Sequence, residues 1–384
     1  MGRRFLPLSL VALALALALV GPGGASAPPP FAARALIVAN GATGEVLYQF
    51  NADERLPIAS ITKVMTALVA LERTTPDETV RVGKAAPSVG EVSIYLRPGE
   101  RISVRDLLAA ALIASANDAA YALASYVGGG SAERFAELMN ERARELGLEN
   151  TRFVRPDGLD VAGHYSSARD VLRLARQAMR KPLFRSLVRR RRLTIAGVRA
   201  LRASNHLLRT FPGAIGVKTG YTEAAGFSEV AAARRGGMTI YAVLLSGPSR
   251  EQRDADLAEL LDWGFDQYGR VVLIRPGEAY AAVDVPYTDR KLRLVATESA
   301  VRLLRLGRPL TERVVAPVLV ELPVERGQRL GEVCVDDGKR PVCRPLVSAE
   351  GIPKPSFGQR LSWYAGRALD HAGRMLESLF GGIF

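Results

Sequence analysis

Ser60 stands three residues before Lys63 in the run Ser60-Ile61-Thr62-Lys63. On a helix that spacing places both side chains on one face, within reach of each other. A hydroxyl beside an amine is a nucleophile beside a base, provided the amine is uncharged. Met65, Leu68 and Val69 give this segment the pattern of a buried helix, and burial lowers a lysine pKa from about 10.4 toward neutrality. Such a pair activates a serine without any histidine. Taken by itself, Ser60 also fits a plain helix N-cap, although a cap gives no reason for the lysine.

Two further motifs follow, Ser115-Ala116-Asn117 and Lys218-Thr219-Gly220. Ser115 and Asn117 fall in a break between segments of helical periodicity at 104–113 and 118–126, where side chains can enter a cleft. The same residues also fit a helix end followed by a new cap. Lys218 and Thr219 close a strand-like run, and Gly220 lets backbone approach a ligand closely. A lysine protecting a strand edge is the other reading of that motif. A cation at Lys218 would also press the Lys63 pKa downward. Each motif is weak alone; their joint order is the signal.

The elements needed to hold these residues are legible in outline. Residues 35–50 read as two strands around a glycine turn, and helices are predicted after Ser60 and over 104–113, 118–126, 132–146 and 168–179. Strands return at 214–219, 226–233 and 238–246, so the two ends of this region are expected to pair in one sheet with helices packed on it. After about residue 269 short alternating segments punctuated by glycine and proline predict a small all-β module. There Cys334 and Cys343 flank the turn signal Asp336-Asp337-Gly338-Lys339. They could face each other across a hairpin as a disulfide or stay as free thiols, because Pro341 disturbs a regular ladder.

Composition limits the alternatives. With 384 residues, 48% hydrophobic and 24% charged, the chain is ordinary globular material for two or three domains. Two cysteines exclude a disulfide scaffold. Three histidines, His164, His206 and His371, without a paired motif exclude a His-based metalloenzyme. Fifty-two Lys and Arg against 39 Asp and Glu leave a net charge of +13. Arg189-Arg190-Arg191-Arg192 lacks the interleaved aromatics of a nucleic-acid surface and reads as a solvated element end, so no nucleic-acid partner is expected.

Both termini carry membrane-related patterns. Arg3 and Arg4, an apolar stretch over 6–20 and small residues around Ala25 and Ala27 have the order of a secretory signal, with cleavage expected after Ala25 or Ala27. The mature protein is then expected outside the cytoplasm, facing anionic envelope polymers or lipid head groups. Residues 349–356, with Pro353 and Pro355, read as a linker. Beyond them Phe357, Leu361, Tyr364, Ala368, Ala372, Met375 and Leu379 form an apolar stripe that Leu376, Phe380 and Ile383 widen. Arg360, Arg367 and Arg374 flank it, the pattern of a helix lying in a membrane surface. Trp363 falls off that stripe.

With all three motifs in order, the chain resembles the serine-type D-alanyl-D-alanine carboxypeptidases, the low-molecular-weight penicillin-binding proteins. Leu56-Pro57-Ile58-Ala59, Arg97-Pro98-Gly99-Glu100, Asp157-Gly158-Leu159, His164-Tyr165-Ser166 and Asn205-His206-Leu207-Leu208 strengthen the likeness over about 35–247. The resemblance implies a mixed α/β fold, β-lactamase/transpeptidase-like, with an antiparallel sheet flanked by helices. Its expected layout is a signal peptide at 1–27, a catalytic domain at 34–265, a small all-β domain at 269–348, the linker at 349–356 and a membrane-associating helix at 357–384.

By that resemblance Ser60 attacks the penultimate D-alanine carbonyl of a peptidoglycan stem peptide. Lys63 is the base, Ser115 passes a proton to the leaving amine, and Asn117 holds the substrate amide. Lys218 and Thr219 bind the terminal carboxylate, Gly220 belongs to the same substrate-binding strand, and backbone N–H groups of Ser60 and Tyr221 hold the oxyanion. β-Lactams are expected as covalent inhibitors, and neither metal nor organic cofactor is implied. A class A β-lactamase would need a deacylating glutamate; the stretch Glu145-Leu146-Gly147-Leu148-Glu149-Asn150 has the wrong order for it. Endopeptidase cutting of cross-links would use the same groups.

Overall fold

The computed structural model describes residues 12–20, 26–338 and 340–380; for 12–20 and 373–380 only the backbone is described. Arg3, Arg4, the cleavage region through Ala25, Lys339 and Ile383 lie outside the described residues, and the side chains of Arg374, Met375, Leu376, Leu379 and Phe380 likewise. In chain order the elements begin with β1 (Ala12–Val20), β2 (Ala35–Asn40), β3 (Val46–Phe50), α1 (Lys63–Arg73), β4 (Thr79–Arg81) and β5 (Arg101–Ser103). Helices α2 (Val104–Ala109), α3 (Asn117–Val127), α4 (Ala132–Glu145), α5 (Ala168–Ala178) and α6 (Pro182–Val188) follow. Next come β6 (Arg192–Ile195), β7 (Arg199–Arg202), α7 (Leu207–Thr210), β8 (Ala214–Thr222), β9 (Gly226–Arg235), β10 (Met238–Gly247) and α8 (Arg250–Asp266). The chain ends with β11 (Tyr268–Ile274), β12 (Ala279–Asp284), β13 (Lys291–Ala296), β14 (Ala300–Arg305), β15 (Pro309–Pro317), β16 (Arg329–Asp336), β17 (Val342–Ser348) and α9 (Phe357–Phe380).

Two compact units result, one of residues 26–267 and one of residues 1–25 with 268–384. In the first, an antiparallel sheet of order β3-β2-β10-β9-β8 joins the start of the unit to its end. Ile37 pairs with Val243 and Val243 with Val230, so apolar rows run across the strands. All six residues of β2 are buried, because helices cover both faces. Helix α8 lies on one, with Gly264 so close that a Cβ would come 2.8 Å from Ile240. Helix α5 lies on the other, presenting Val171, Leu174, Ala175 and Ala178 to the core shared with α1 and α3. Strand β8 is the sheet's outer edge, which leaves one side of the Lys218-Thr219-Gly220 segment free to face the helices.

Several elements differ from the sequence reading, which predicted neither α6 nor α7. The segment 104–113 is helical only to Ala109 and then widens into a π turn, Ala110–Ala114, closed by Ser115 in the left-handed region at φ 67. Alanine-rich sequence has no signal for that change of pitch. Helix α8 buries Arg253 and Asp256 beside its apolar residues, so its amphipathic period is weak and it escapes the sequence reading. The Ser249 hydroxyl, accepting from Gln252 N, caps it at 3.0 Å. The hairpin β6–β7 is short and polar, and its alternation is equally faint.

In the second unit, β15-β16-β17-β13-β12 form an antiparallel sheet around Val314, Val333, Val335, Leu292, Leu294 and Leu346. The stretch expected as a signal core, β1, runs antiparallel beside β15 with Ala12 opposite Pro317 and Val20 opposite Pro309. Its strict Leu-Ala alternation suits a strand, and β15 otherwise ends the sheet. Cys334 and Cys343 sit directly opposite each other on β16 and β17 and form a disulfide. Pro341 precedes β17 and leaves the ladder intact. Ile352, within the stretch read as a linker, pairs with Val324 and packs into this core. On α9, Phe357, Leu361, Tyr364 and Leu369 are exposed. Trp363, off that stripe, lies edge-on to Tyr287 and Tyr364 under the Arg367 guanidinium, so it anchors the start of the helix.

The disulfide spans nine residues of sequence. Replacing both cysteines by alanine is expected to destabilise the β module by about 2–3 kcal/mol, read as a lower urea midpoint for the unfolding step followed by module-specific probes such as Trp363 fluorescence.

Candidate active site

The chain enters the site through Leu56-Pro57-Ile58 and makes a 3₁₀ turn at Ala59–Thr62 before α1 begins at Lys63. Ala59 is held at φ 46, a left-handed conformation uncommon outside glycine. Glycines make room around it. A Cβ on Gly158 would lie 2.0 Å from the Ala59 carbonyl oxygen, and one on Gly220 would lie 2.7 Å from the Ile58 carbonyl oxygen. The turn is therefore clamped between the loop after Asp157 and the edge strand β8. Ser60 caps nothing here, since its hydroxyl takes no backbone N–H at the start of α1. Instead it lies 2.6 Å from Lys63 Nζ.

Lys63 is 0% exposed, and the seven residues after it in α1, through Ala70, are buried too. Besides Ser60, its Nζ is 2.7 Å from Asn117 Oδ1 and 2.7 Å from the Asp157 carbonyl oxygen. These two oxygens have no hydrogen to give, so they take both N–H bonds of a neutral amine. The lone pair is left for the Ser60 O–H, the arrangement a base requires. Burial pushes this lysine down to about 7, with Asp157, Glu91 and Asp118 pulling partly back and Arg155 pushing further down. Burial is the main cause, whereas the mutual push of the two lysines is felt at Lys218.

Asn117 is fixed at both ends: Nδ2 donates to the Gly90 carbonyl at 2.9 Å, and its backbone N–H to that of Val92 at 2.7 Å. It holds the base rather than capping α3. Next to it, Asp118 accepts from the N–H groups of Ile94 and Leu96 and from the Ser93 hydroxyl, fixing the loop that forms one wall. Ser115 Oγ accepts from Lys218 Nζ at 2.9 Å, and Lys218 also reaches the Thr219 carbonyl at 2.9 Å. At 1% exposure Lys218 protects no edge. It is held well below the ordinary lysine value, first by burial and then by the charge of Lys63. The site thus contains two hydroxyl–amine pairs whose amines disfavour each other's protonation.

Thr219 Oγ1 lies 2.9 Å from Ser204 Oγ, and both line a cleft of about 230 Å³ with Ser60, Ser115, Asn117, Gly220, Tyr221 and Phe227. All the residues singled out from sequence meet here except the buried amines of Lys63 and Lys218, which sit behind the wall. The Tyr221 ring stacks on Phe227 at 4.3 Å and stays open to solvent. Arg250 and Arg253 also line the cleft and were missed, because in sequence they are two of many charges on a surface helix.

His164, part of a quoted likeness, has a structural role. Its Nδ1 accepts from Val154 N at 3.1 Å, so the hydrogen is on Nε2, which donates to Thr62 Oγ1 at 2.8 Å. Burial pushes its pKa down to about 4, so it is a neutral brace for the turn. Asp157 turns its carboxylate away to Arg155 and the Leu159 N–H, offering Lys63 only its carbonyl.

Gly220→Ala is expected to push β8 off the 59–62 turn, costing about 1–3 kcal/mol in stability and slowing covalent trapping of Ser60 by a penicillin; intact-protein mass spectrometry over time reads the second effect. An unchanged trapping rate in a folded variant would contradict the clamp.

Comparison with known proteins agrees with this geometry. The family profile described as D-alanyl-D-alanine carboxypeptidase, peptidase S11, matches residues 23–249. The D-alanyl-D-alanine carboxypeptidase DacF of Bacillus subtilis is 33% identical over 332 residues, 82% of this chain and 84% of that protein. DacC of Escherichia coli is 33% identical over 87% of each chain. Among solved structures, DacD of Francisella tularensis superposes with a TM-score of 0.62 at 25% identity, covering 86% of this chain and 95% of that one. The Streptomyces K15 DD-transpeptidase gives 0.60 at 34% identity over 63% of this chain and all of that one. A buried lysine aimed at a serine on a turn clamped by two glycines, with that profile spanning all three motifs, places this chain in the D-alanyl-D-alanine carboxypeptidase family of serine peptidases.

Proposed function

We infer that this protein is a serine-type D-Ala-D-Ala carboxypeptidase that removes the terminal D-alanine from peptidoglycan stem pentapeptides through an acyl-enzyme on Ser60, and that penicillins acylate the same oxygen. The observation that carries the reading is the Lys63 amine, enclosed, depressed to about 7 and 2.6 Å from Ser60 Oγ. As Oγ forms its bond to the carbonyl carbon of the penultimate D-alanine, its proton passes to Lys63 Nζ. Collapse of the tetrahedral intermediate breaks the C–N bond, and the proton held by Lys63 passes to the departing amine by relay through the Ser115 hydroxyl, which Lys218 holds, so Lys63 is neutral again. Water then adds to the ester as Lys63 takes its proton, the C–O bond to Ser60 breaks as that proton returns to Ser60 Oγ, and the shortened peptide leaves.

Because β8 is the sheet's edge, backbone donors on its free side are available to a ligand. The N–H groups of Ser60 and Tyr221 are assigned to the developing oxyanion, where preorganised donors are worth several kcal/mol. The second N–H of Asn117 Nδ2 is left for the substrate amide. Arg250 and Arg253 beside Thr219 make one end of the cleft cationic, suited to a terminal carboxylate. A neighbour in fold, penicillin-binding protein D2 of Listeria monocytogenes, was solved with ampicillin bound, at a TM-score of 0.56 and 33% identity.

We also propose that the protein is exported, the chain being cut after Ala25 or Ala27, and that α9 lies in the outer surface of the cytoplasmic membrane. Supporting this, Phe357, Leu361, Tyr364 and Leu369 are exposed on a helix that also carries Arg360 and Arg367. Among the described residues no helix is long and apolar enough to cross a membrane; apolar residues beside arginines on one helix suit contact in the membrane plane.

Wild type should release D-alanine from a synthetic pentapeptide and Ser60→Ala should release none; D-alanine release by Ser60→Ala would overturn the mechanism. Since the base must be neutral, the acylation rate should fall as pH drops through about 7. A rate that is flat from pH 5 to 9 would remove Lys63 from that role. Truncation after Ser356 should lower sedimentation with anionic phospholipid vesicles by about ten-fold or more, the scale of burying a few large apolar side chains. Equal sedimentation of both forms would refute the membrane assignment.

A further inference from the structure

Strand β9 reads Glu229-Val230-Ala231-Ala232-Ala233 after Ser228, an acid at the head of an apolar run. The register sets Glu229 opposite Thr219 of β8, so both side chains stand on the same face of the sheet. That is the face covered by α8, directly behind the cationic end of the cleft. Glu229 is 0% exposed, and no hydrogen bond of good geometry reaches either carboxylate oxygen. Its nearest cation is Arg253, whose Nε lies 3.3 Å from Oε2. Asn205, with an equally unpaired Nδ2, turns toward it as well.

Arg253 is itself 3% exposed yet lines the cleft. Its Nε and Nη2 both donate to Asp254 Oδ1, at 3.0 and 2.6 Å. Nη1 is then the guanidinium nitrogen without a protein acceptor among the described residues. A buried ion pair adds little stability over apolar side chains of the same volume, and leucine would suit this otherwise apolar strand. An enclosed, poorly bonded acid placed behind an anion-receiving end is therefore better explained by function than by folding.

We propose that Glu229 is a positioning residue for the carboxylate-binding end of the cleft: it holds Arg253 and offsets its charge, so that Nη1 meets the terminal carboxylate of the substrate at a set place and strength. This rests on the carboxypeptidase reading above. The charged groups facing Glu229 are Arg253 and Asp254 from α8 and Lys218 from β8, with neutral Asn205 from the segment before α7. Burial pushes its carboxyl up to about 7; Asp254 adds to this, and Arg253, Lys218 and Asn205 oppose it. As pH rises through that value Glu229 gains a negative charge, the local excess of cations falls by one, and an incoming carboxylate is held less tightly.

The test is steady-state D-alanine release from a synthetic pentapeptide ending in D-Ala-D-Ala, measured from pH 6 to 8 for wild type, Glu229→Gln and Glu229→Leu. Wild-type KM should rise with pH. Glutamine keeps an acceptor for Arg253, so its KM at pH 6 should stay within about two-fold of wild type while the rise with pH disappears. Leucine should raise KM about ten-fold at pH 6, the scale of one charge-assisted hydrogen bond, with kcat changed by no more than about two-fold. A folded leucine variant with wild-type KM and pH dependence overturns the proposal. Where the leucine variant does not fold, an undiminished rise of KM in Glu229→Gln overturns it equally. D-alanine release by wild type separates the two failures: if present beside unaltered variants, only the role of Glu229 falls, and if absent, the carboxypeptidase reading falls and takes this role with it.

Discussion

Keeping an amine uncharged inside a protein requires that water be excluded and that every other acceptor nearby be a neutral oxygen. The shift of Lys63 from 10.5 to about 7 makes its protonation less favourable by roughly 5 kcal/mol, and the surroundings are arranged to sustain that. Asn117 supplies an amide oxygen and Asp157 a backbone carbonyl, while the Asp157 carboxylate is turned to Arg155 and the Leu159 N–H. Were the Asp157 carboxylate itself at Nζ, an ion pair would form and the base would be lost. The main chain therefore does at this point what a side chain could not.

That electrostatic requirement sets the local backbone. The 59–62 turn must carry Ser60 to the cleft while Lys63 stays inside, which forces Ala59 into a left-handed conformation and brings two other segments against it. Gly158 and Gly220 are the places where those segments pass too close for a Cβ. Ser115 takes a similar conformation at the end of a π turn, which breaks helical continuity and turns its hydroxyl to Lys218. Ala59 and Ser115 are two of the left-handed non-glycine residues of the chain, and the buried sheet with its two layers of helices holds them at the site.

Charge is distributed unevenly across the same cleft. At its centre two lysines are held low by burial, Lys218 also by the charge of Lys63. At one end Arg253 stands beside Asp254 and the buried Glu229. A neutral, basic centre beside a permanently cationic end is the distribution needed to activate a hydroxyl while orienting an anionic peptide terminus. Away from the cleft, α9 is tied to the β module through Trp363 and Tyr287, with Phe357, Leu361 and Leu369 exposed.

What the sequence determined is the cast and the frame. Serine and lysine three residues apart, two more short motifs in order and the strand–helix–strand alternation are local patterns, set by helical spacing and side-chain chemistry, and the folded chain contains them. The tertiary structure decided everything that depends on residues distant in sequence coming within hydrogen-bond range. It gave Lys63 its partners 54 and 94 residues away, made Ser60 a nucleophile rather than a cap, and turned His164 into a neutral brace. It also moved Arg253, from a helix the sequence did not reveal, and Glu229, from a predicted strand, to the rim and back of the cleft. Periodicity reports which face of an element is buried, whereas a pKa or a partner follows from what is packed against that face, which only the closed fold supplies.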